Sequence, residues 1–146
     1  MREILFRGKC VDTGNWYEGY YMHLHKTTYC VQEDYERFPG NDIHQIVFER
    51  MTDWGLPNQH YRVDVDPKTV GQFTGEYDRN GKRIFEGDIL KRTNGNKYVW
   101  YIDYKNCAFC ANQSNCNYAC ELGELLDMIE LEVIGNIHDN PELLEE

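Results

Sequence analysis

Lysine and arginine are absent from the last forty residues of this 146-residue chain, where nine acidic groups stand alone. The preceding 106 residues hold all 15 basic groups against 16 acidic ones, so the formal net charge of −10 divides into −1 and −9. Duplex nucleic acid is a polyanion whose binding needs a basic stripe that releases counterions. The last forty residues would repel it, so any nucleic-acid contact is confined to the first part or becomes imitation of nucleic acid. Long apolar runs are also missing: the longest, such as residues 98–102, have five residues, far short of the roughly 20 that a membrane helix needs. The start has no basic segment followed by an apolar stretch and a small-residue cleavage site, so no export signal is expected. Internal repeats and low-complexity segments are likewise missing. Aromatic residues, by contrast, make up 14% of the chain and hydrophobic ones 41%, which excludes a disordered acidic tail protein. The length suits about one domain or two very small ones, able to bury about two thirds of the unfolded surface. A folded, soluble, cytoplasmic protein with no membrane partner is the expectation.

Six cysteines without an export signal argue against disulfides. Cys107, Cys110, Cys116 and Cys120 are spaced C-x2-C-x5-C-x3-C, compact enough for four thiolates to close a tetrahedral zinc site. The spacing departs from known zinc patterns, no histidine lies between, and the segment C-A-F-C at 107–110 lacks the glycine of a tight metal-binding turn. A hairpin of residues 107–111 and 116–120, joined through 112–115 and burying its thiols as small hydrophobes, is preferred. No cofactor is expected, zinc being the one admissible exception.

Along the chain, short β-prone segments alternate with turn words. Residues 4–6 and a strand from Trp16 through Leu24 flank a turn at 12–15. On that second strand Tyr21, His23 and His25 share one face. Two histidines one residue apart resemble a metal-binding pair, but the sequence shows no carboxylate in register, so solvent-facing side chains are preferred. Residues 29–32 read as a short strand, 33–42 as a polar loop, 43–51 as a strand or a single helical stretch with β-branched content favouring strand, 53–60 as a loop and 61–66 as a sheet edge running into Pro67. A strand at 70–75 leads into the Asn80-Gly81 turn, whose residues favour the positive φ of a hairpin. Residues 82–85 return, a corner at 86–88 precedes Ile89 and Leu90, and a second turn at 94–96 leads into a strand at 97–104. After the cysteine hairpin, Leu122, Leu125, Leu126 and Ile129 mark one face of a short helix, with Glu121, Glu124, Asp127 and Glu130 elsewhere on it. A last strand covers 131–134, and 141–146 form an acidic tail.

The fold class is therefore mainly β. Residues 1–85 form an N-terminal β-rich lobe. Residues 86–146, with four strands, a short helix and a last strand, follow the plan of an SH3-like barrel, which leaves no open sheet edge. The two lobes are expected to form one compact unit.

The words TVGQFTG at 69–75, DRNGK at 78–82 with IFEGDI at 84–89, and EVIGNI at 132–137 with NPEL at 140–143 resemble the signature of the YopX family, and ILFR at 4–7 fits its usual start. The resemblance implies a small β-rich protein of phage or prophage origin, acting in the cytoplasm of a bacterial host. It brings no reaction, and the cysteine hairpin departs from the family's usual pattern. Most of these words are also folding instructions. Gly71, Gly75, Gly81, Gly87 and Gly135 sit where a Cβ would clash or φ is positive. Asp78 and Asp88 can bond the amides of their own turns, while Phe73, Phe85, Ile89, Val133 and Ile134 are expected in the core.

No catalytic constellation emerges. Glu86 and Asp88 read as turn and rim carboxylates, and the glycines do not form a phosphate loop, since Gly81-Lys82 is followed by arginine. The leading reading is a non-catalytic binding or regulatory module for a protein or nucleic acid, with exposed aromatics as a platform. Its one concentrated basic patch is Arg79, Lys82, Arg83, Lys91, Arg92 and Lys97. The alternative is a nucleic-acid mimic that inhibits a host protein through Glu121, Glu124, Asp127 and Glu130; a small enzyme ranks third. Sheet edges in the first lobe offer a natural homo-oligomer interface.

Overall fold

The computed structural model describes residues 1–95, 98–114 and 116–145, so Lys97 of the basic patch, and Asn96, Asn115 and Glu146, lie outside the described residues. The chain is mainly β, with antiparallel pairing and two short helices. It divides into two compact units, residues 5–70, and residues 1–4 with 71–146.

In residues 5–70, β1 (Phe6–Lys9), β2 (Trp16–His25), β3 (Asp42–Arg50) and β4 (Gln59–Asp64) pair as neighbours in the order β4-β3-β2-β1. Ile46 and Val65 are fully buried. Around Ile46, ring contacts such as Tyr17 with Phe48, Phe48 with Tyr61, and Phe6 with Tyr21 cover the same face, with centroids 5.3, 5.9 and 5.7 Å apart. The short strand expected at 29–32 is not formed. Instead α1 (Gln32–Arg37) and a 3-10 turn (Pro39–Asn41) fill the loop. Helix α1 buries none of its residues, so it carries no apolar stripe from which its 3.6-residue period could be read.

The second unit begins with β5 (Gly71–Tyr77) and β6 (Arg83–Phe85), joined through the turn at 78–82. A five-stranded sheet follows, in the order β10-β9-β8-β7-β11, from β7 (Asp88–Arg92), β8 (Val99–Lys105), β9 (Ala108–Gln113), β10 (Ala119–Glu121) and β11 (Leu131–Asn136). This is the expected succession of four strands, a helix and a strand. The expected barrel is not closed: among the described residues nothing pairs β10 with β11, the two ends of the sheet. Helix α2 (Leu122–Met128) connects these ends. Leu122 and Leu125 are buried from it against Ile84, Leu90, Trp100, Ile102, Ala111 and Leu131, with Leu126 and Ile129 packed alongside. Each large aliphatic side chain so buried stabilises the fold by roughly 1.5–3 kcal/mol. Phe73, Phe85 and Ile89 are core as expected, whereas Val133 and Ile134 are only half-buried.

Two local devices fix this unit. Asp78 is buried and its carboxylate accepts three backbone N–H bonds, from Asn80 at 2.8 Å, Lys82 at 2.9 Å and Val133 at 3.1 Å. At Gly71, a Cβ would lie 2.5 Å from the carbonyl oxygen of Glu86, a contact only glycine avoids. The β8–β9 hairpin turns through Asn106 and Cys107, with φ of 52° and 64°. Both central residues are left-handed, as a type I′ turn demands. Cys107 therefore sits in the turn, and not on the strand to which the sequence assigned it.

Two outcomes follow. Cys107 adopts a backbone region that costs an L-residue roughly 1–2 kcal/mol and glycine little. Glycine also loses more chain entropy on folding, so Cys107→Gly is expected to raise stability by about 0.5–1 kcal/mol in urea unfolding. For Asp78, burial pushes the carboxyl up, but the bonds from Val133, Lys82 and Asn80 outweigh it and hold it below its ordinary value. A depressed folded value gives stability that is complete above the unfolded carboxyl range and is lost as pH falls through the folded value. Asp78→Ala should cost about 3 kcal/mol near neutral pH, from the loss of three backbone bonds to one charged acceptor. The difference between wild type and variant should shrink in strong acid, which unfolding midpoints measured from neutral pH downward will show.

Candidate functional site

The antiparallel register of β2 and β3 sets His23 opposite His44 and His25 opposite Asp42, all on one face because alternate residues of a strand point the same way. Asp42 is the carboxylate in register that the sequence did not reveal. Its Oδ1 lies 2.8 Å from Nδ1 of His25 and its Oδ2 lies 3.1 Å from Nε2 of His23. The His23 and His44 rings stack with centroids 4.4 Å apart, and a 2.5 Å hydrogen bond joins Nδ1 of His44 to the Tyr21 hydroxyl. Tyr35, from α1, packs on His25 at 4.3 Å, so the unforeseen helix closes one end of the group. Ligand atoms of His23, Asp42 and His44 all lie within 4.8 Å of one another. A cleft of about 310 Å³ adjoins them, walled by Lys26, Asp42, His44 and Asp64.

The electrostatics are those of a coupled group. Hydrogen bonds from His25, then His23, hold the Asp42 carboxyl below the ordinary carboxylate range. Burial, then the neighbouring His23, lowers His44, which favours the neutral ring that ligates metals. Burial, then Asp42, raises the Tyr21 phenol.

A second feature lies on the loop between β3 and β4. The amide of Leu56 donates to the carbonyl of Asp53 at 3.0 Å across a turn with Gly55 at φ +82°, and the Thr52 hydroxyl donates to Pro57 O at 2.9 Å. Trp54 stands at the tip of this turn and is 100% exposed, between Met51 at 88% and Leu56 at 61%. Strand β4 ends the strand order on this side, and Gln59, His60, Tyr61 and Arg62 are exposed along it.

The basic and acidic residues singled out from the sequence are interleaved. Arg79 lies 3.6 Å from Glu130, Arg83 lies 3.9 Å from Glu3, and Lys91 stands directly across the ladder from Glu132. Arg92 is half-buried opposite Leu131, and Lys82 is exposed in the 78–82 turn. Glu121, Glu124, Asp127 and Glu130 are all exposed on or beside α2. The four late cysteines do not converge. Cys110 is buried on β9, Cys120 is half-buried on β10, and Cys107 and Cys116 are exposed. Among the described residues, no three of these thiols lie within ligand distance of one another. Glu86 and Asp88 serve the corner: Asp88 is buried and accepts the Phe85 amide at 2.8 Å, while Glu86 reaches the Gln72 amide at 3.5 Å. Half of the histidine site was visible as the H-x-H pair. Asp42 and His44 also stand one residue apart, and that D-x-H spacing on a second strand was the signal available for the other half.

No helix among the described residues is long and apolar enough to cross a membrane. Among curated protein sequences none matches this chain. Solved structures that share its fold include two bacterial proteins. A protein called EF1440 from Enterococcus faecalis is 22% identical with a TM-score of 0.52, and the match covers 99% of each chain. Protein yopX from Bacillus subtilis is 16% identical with a TM-score of 0.50, covering 100% of this chain and 98% of the other. The YopX protein family model matches residues 5–145, and the chain belongs to that family.

Proposed function

We propose that the chain is a non-catalytic, protein-binding module whose contact surface is the tip of the β3–β4 hairpin and the outer edge of β4. The observation that supports this reading is Trp54, wholly exposed on an ordered turn between two exposed apolar side chains. Three large apolar side chains are exposed within this one loop, and tryptophan is enriched among residues that dominate binding energy. Because the turn is held by its own hydrogen bonds, little ordering entropy remains to be lost on binding. The edge of β4 offers backbone donors and acceptors to an extended segment. The occupant is a partner protein that presents an apolar pocket beside such a segment. In the phage or prophage setting that the family resemblance implies, that partner is a host protein and the site of action is the bacterial cytoplasm.

The interleaving of Arg79, Arg83 and Lys91 with Glu130, Glu3 and Glu132 weighs against the basic turn residues as the main surface, since their field is largely cancelled nearby. Affinity capture from bacterial lysate, with and without nuclease, tests the assignment. A defined protein should be retained after nuclease treatment, and Trp54→Ala should weaken its binding by about thirtyfold, the effect of a hot spot of roughly 2 kcal/mol. Neutralising Glu121, Glu124, Asp127 and Glu130 together should leave capture unchanged. Loss of capture in that variant would favour the acidic mimic. Loss on nuclease treatment and on charge reversal at Lys82, Arg83, Lys91 and Arg92 would favour nucleic acid. Either result, or capture indifferent to Trp54, overturns the hairpin-tip reading.

A further inference from the structure

We propose that His23, Asp42 and His44 bind one divalent transition-metal ion at the end of the β2–β3 ladder, with His25 and Tyr21 as positioning residues. The site is independent of the hairpin tip. Two imidazoles and one carboxylate are the donors of open, three-ligand zinc sites, which keep a further position for water or another ligand. Imidazole in the donor set favours zinc and its first-row neighbours over magnesium or calcium.

The geometry is close to what such an ion needs. Metal–ligand bonds of about 2.0–2.2 Å place tetrahedral ligands roughly 3.4 Å apart, and the three ligand atoms here already lie within 4.8 Å of one another. The ladder fixes the backbone positions. The side chains of His23 and Asp42 retain 45% and 18% exposure, so they can complete the approach by small rotations while the stacked rings of His23 and His44 splay. On binding, Nε2 of His23 presents its lone pair to the ion in place of its hydrogen bond to Asp42. The ring then keeps a single proton, on Nδ1, and a second proton, where present, passes to solvent.

The surrounding bonds match the arrangement that supports metal sites. A ligating histidine ordinarily donates its other ring N–H, and a ligating carboxylate is itself hydrogen-bonded. Nδ1–H of His44 can donate to the Tyr21 oxygen at 2.5 Å, leaving Nε2 for the ion, and His25 holds the second oxygen of Asp42 at 2.8 Å. A solvated group of histidines requires neither the facing D-x-H and H-x-H pairs nor this outer ring of partners.

Zinc binding to the purified, chelator-treated full chain tests the inference by calorimetry, with cobalt(II) absorbance and histidine-ring NMR shifts reporting which donors are used. One ion per chain is expected, with perturbed His23 and His44 rings and no thiolate charge-transfer band. His23 is exposed and His44 half-buried, so His23→Gln and His44→Gln are checked for native unfolding midpoints without metal. In either variant affinity should fall more than a hundredfold. Tyr21→Phe and His25→Gln, which leave the three ligands in place, should lower it by roughly tenfold to a hundredfold. Absence of binding, binding that survives the His23→Gln/His44→Gln double variant, or cobalt spectra dominated by thiolate would each overturn the assignment, the last by placing the ion at the late cysteines.

Discussion

The Asp78 carboxylate is the point on which residues 71–146 depend. One oxygen gathers the amides of Asn80 and Lys82 and so shapes the turn between β5 and β6, while the other takes the amide of Val133 in the last strand. The Arg79 amide adds a bond to the carbonyl of Leu131. A turn and a strand more than fifty residues apart are thereby held as one piece. A carboxylate can do this because it accepts several hydrogen bonds at once, and bonds to its charged form are stronger than neutral ones. This explains why the words that carry the family resemblance occur where they do. DRNGK at 78–82 and EVIGNI at 132–137 are two sides of one contact. The corner of IFEGDI works in the same way: the Gly87 amide donates to Ile102, and its carbonyl accepts from Ile137.

The same contact redistributes charge. Read linearly, the chain is nearly neutral to residue 106 and strongly acidic beyond it. Pairing β11 with β7 returns part of the acidic segment to the basic one, with Glu132 across from Lys91 and Glu130 beside Arg79. Exposed pairs of this kind contribute roughly 0–1 kcal/mol each, so they do not hold the fold. They do decide its field, because opposite charges a few ångströms apart cancel at any distance from which a polyanion or a basic groove would sense them. Glu124 and Asp127 are exposed on α2, whose Leu122 and Leu125 face the core.

What the sequence made legible was local. Strand-prone runs between turn words located β2 and β11, β-branched content located β3, the Asn80-Gly81 pair located a hairpin, and four apolar residues at helical spacing located α2. Helix α1 was not legible because all its residues are polar or aromatic and none is buried, so no stripe marks its period. The turn at Cys107 was missed because Asn-Cys is not a dipeptide that asks for positive φ; the hairpin register imposes it. Barrel closure was inferred from the number and order of strands, which constrain connectivity but not whether the strands at the two ends of the sheet pair. The histidine group shows the same limit. That His23 and His25 share a face follows from strand geometry alone, whereas the placing of Asp42 opposite His25 follows from a register set across residues 26–41, which contain a helix the pattern did not announce.

The two units also differ in what fixes their side chains, and that bears on where chemistry can sit. Residues 71–146 enclose a cluster of aliphatic side chains around Leu90 and Ile102, and the carboxylates buried beside it, Asp78 and Asp88, are bonded to backbone amides for structure. Residues 5–70 bury few aliphatics, chiefly Ile46 and Val65, and their sheet is covered instead by rings that touch edge and face. Aromatic and imidazole rings pack with definite geometry while keeping polar atoms at their edges. A face built this way can bury apolar area and still present nitrogen and oxygen to solvent. The row that begins with Phe6 and Tyr21 passes through His44, His23 and His25 to Tyr35, so the packing that orders the sheet is also what orients Asp42 and its histidines.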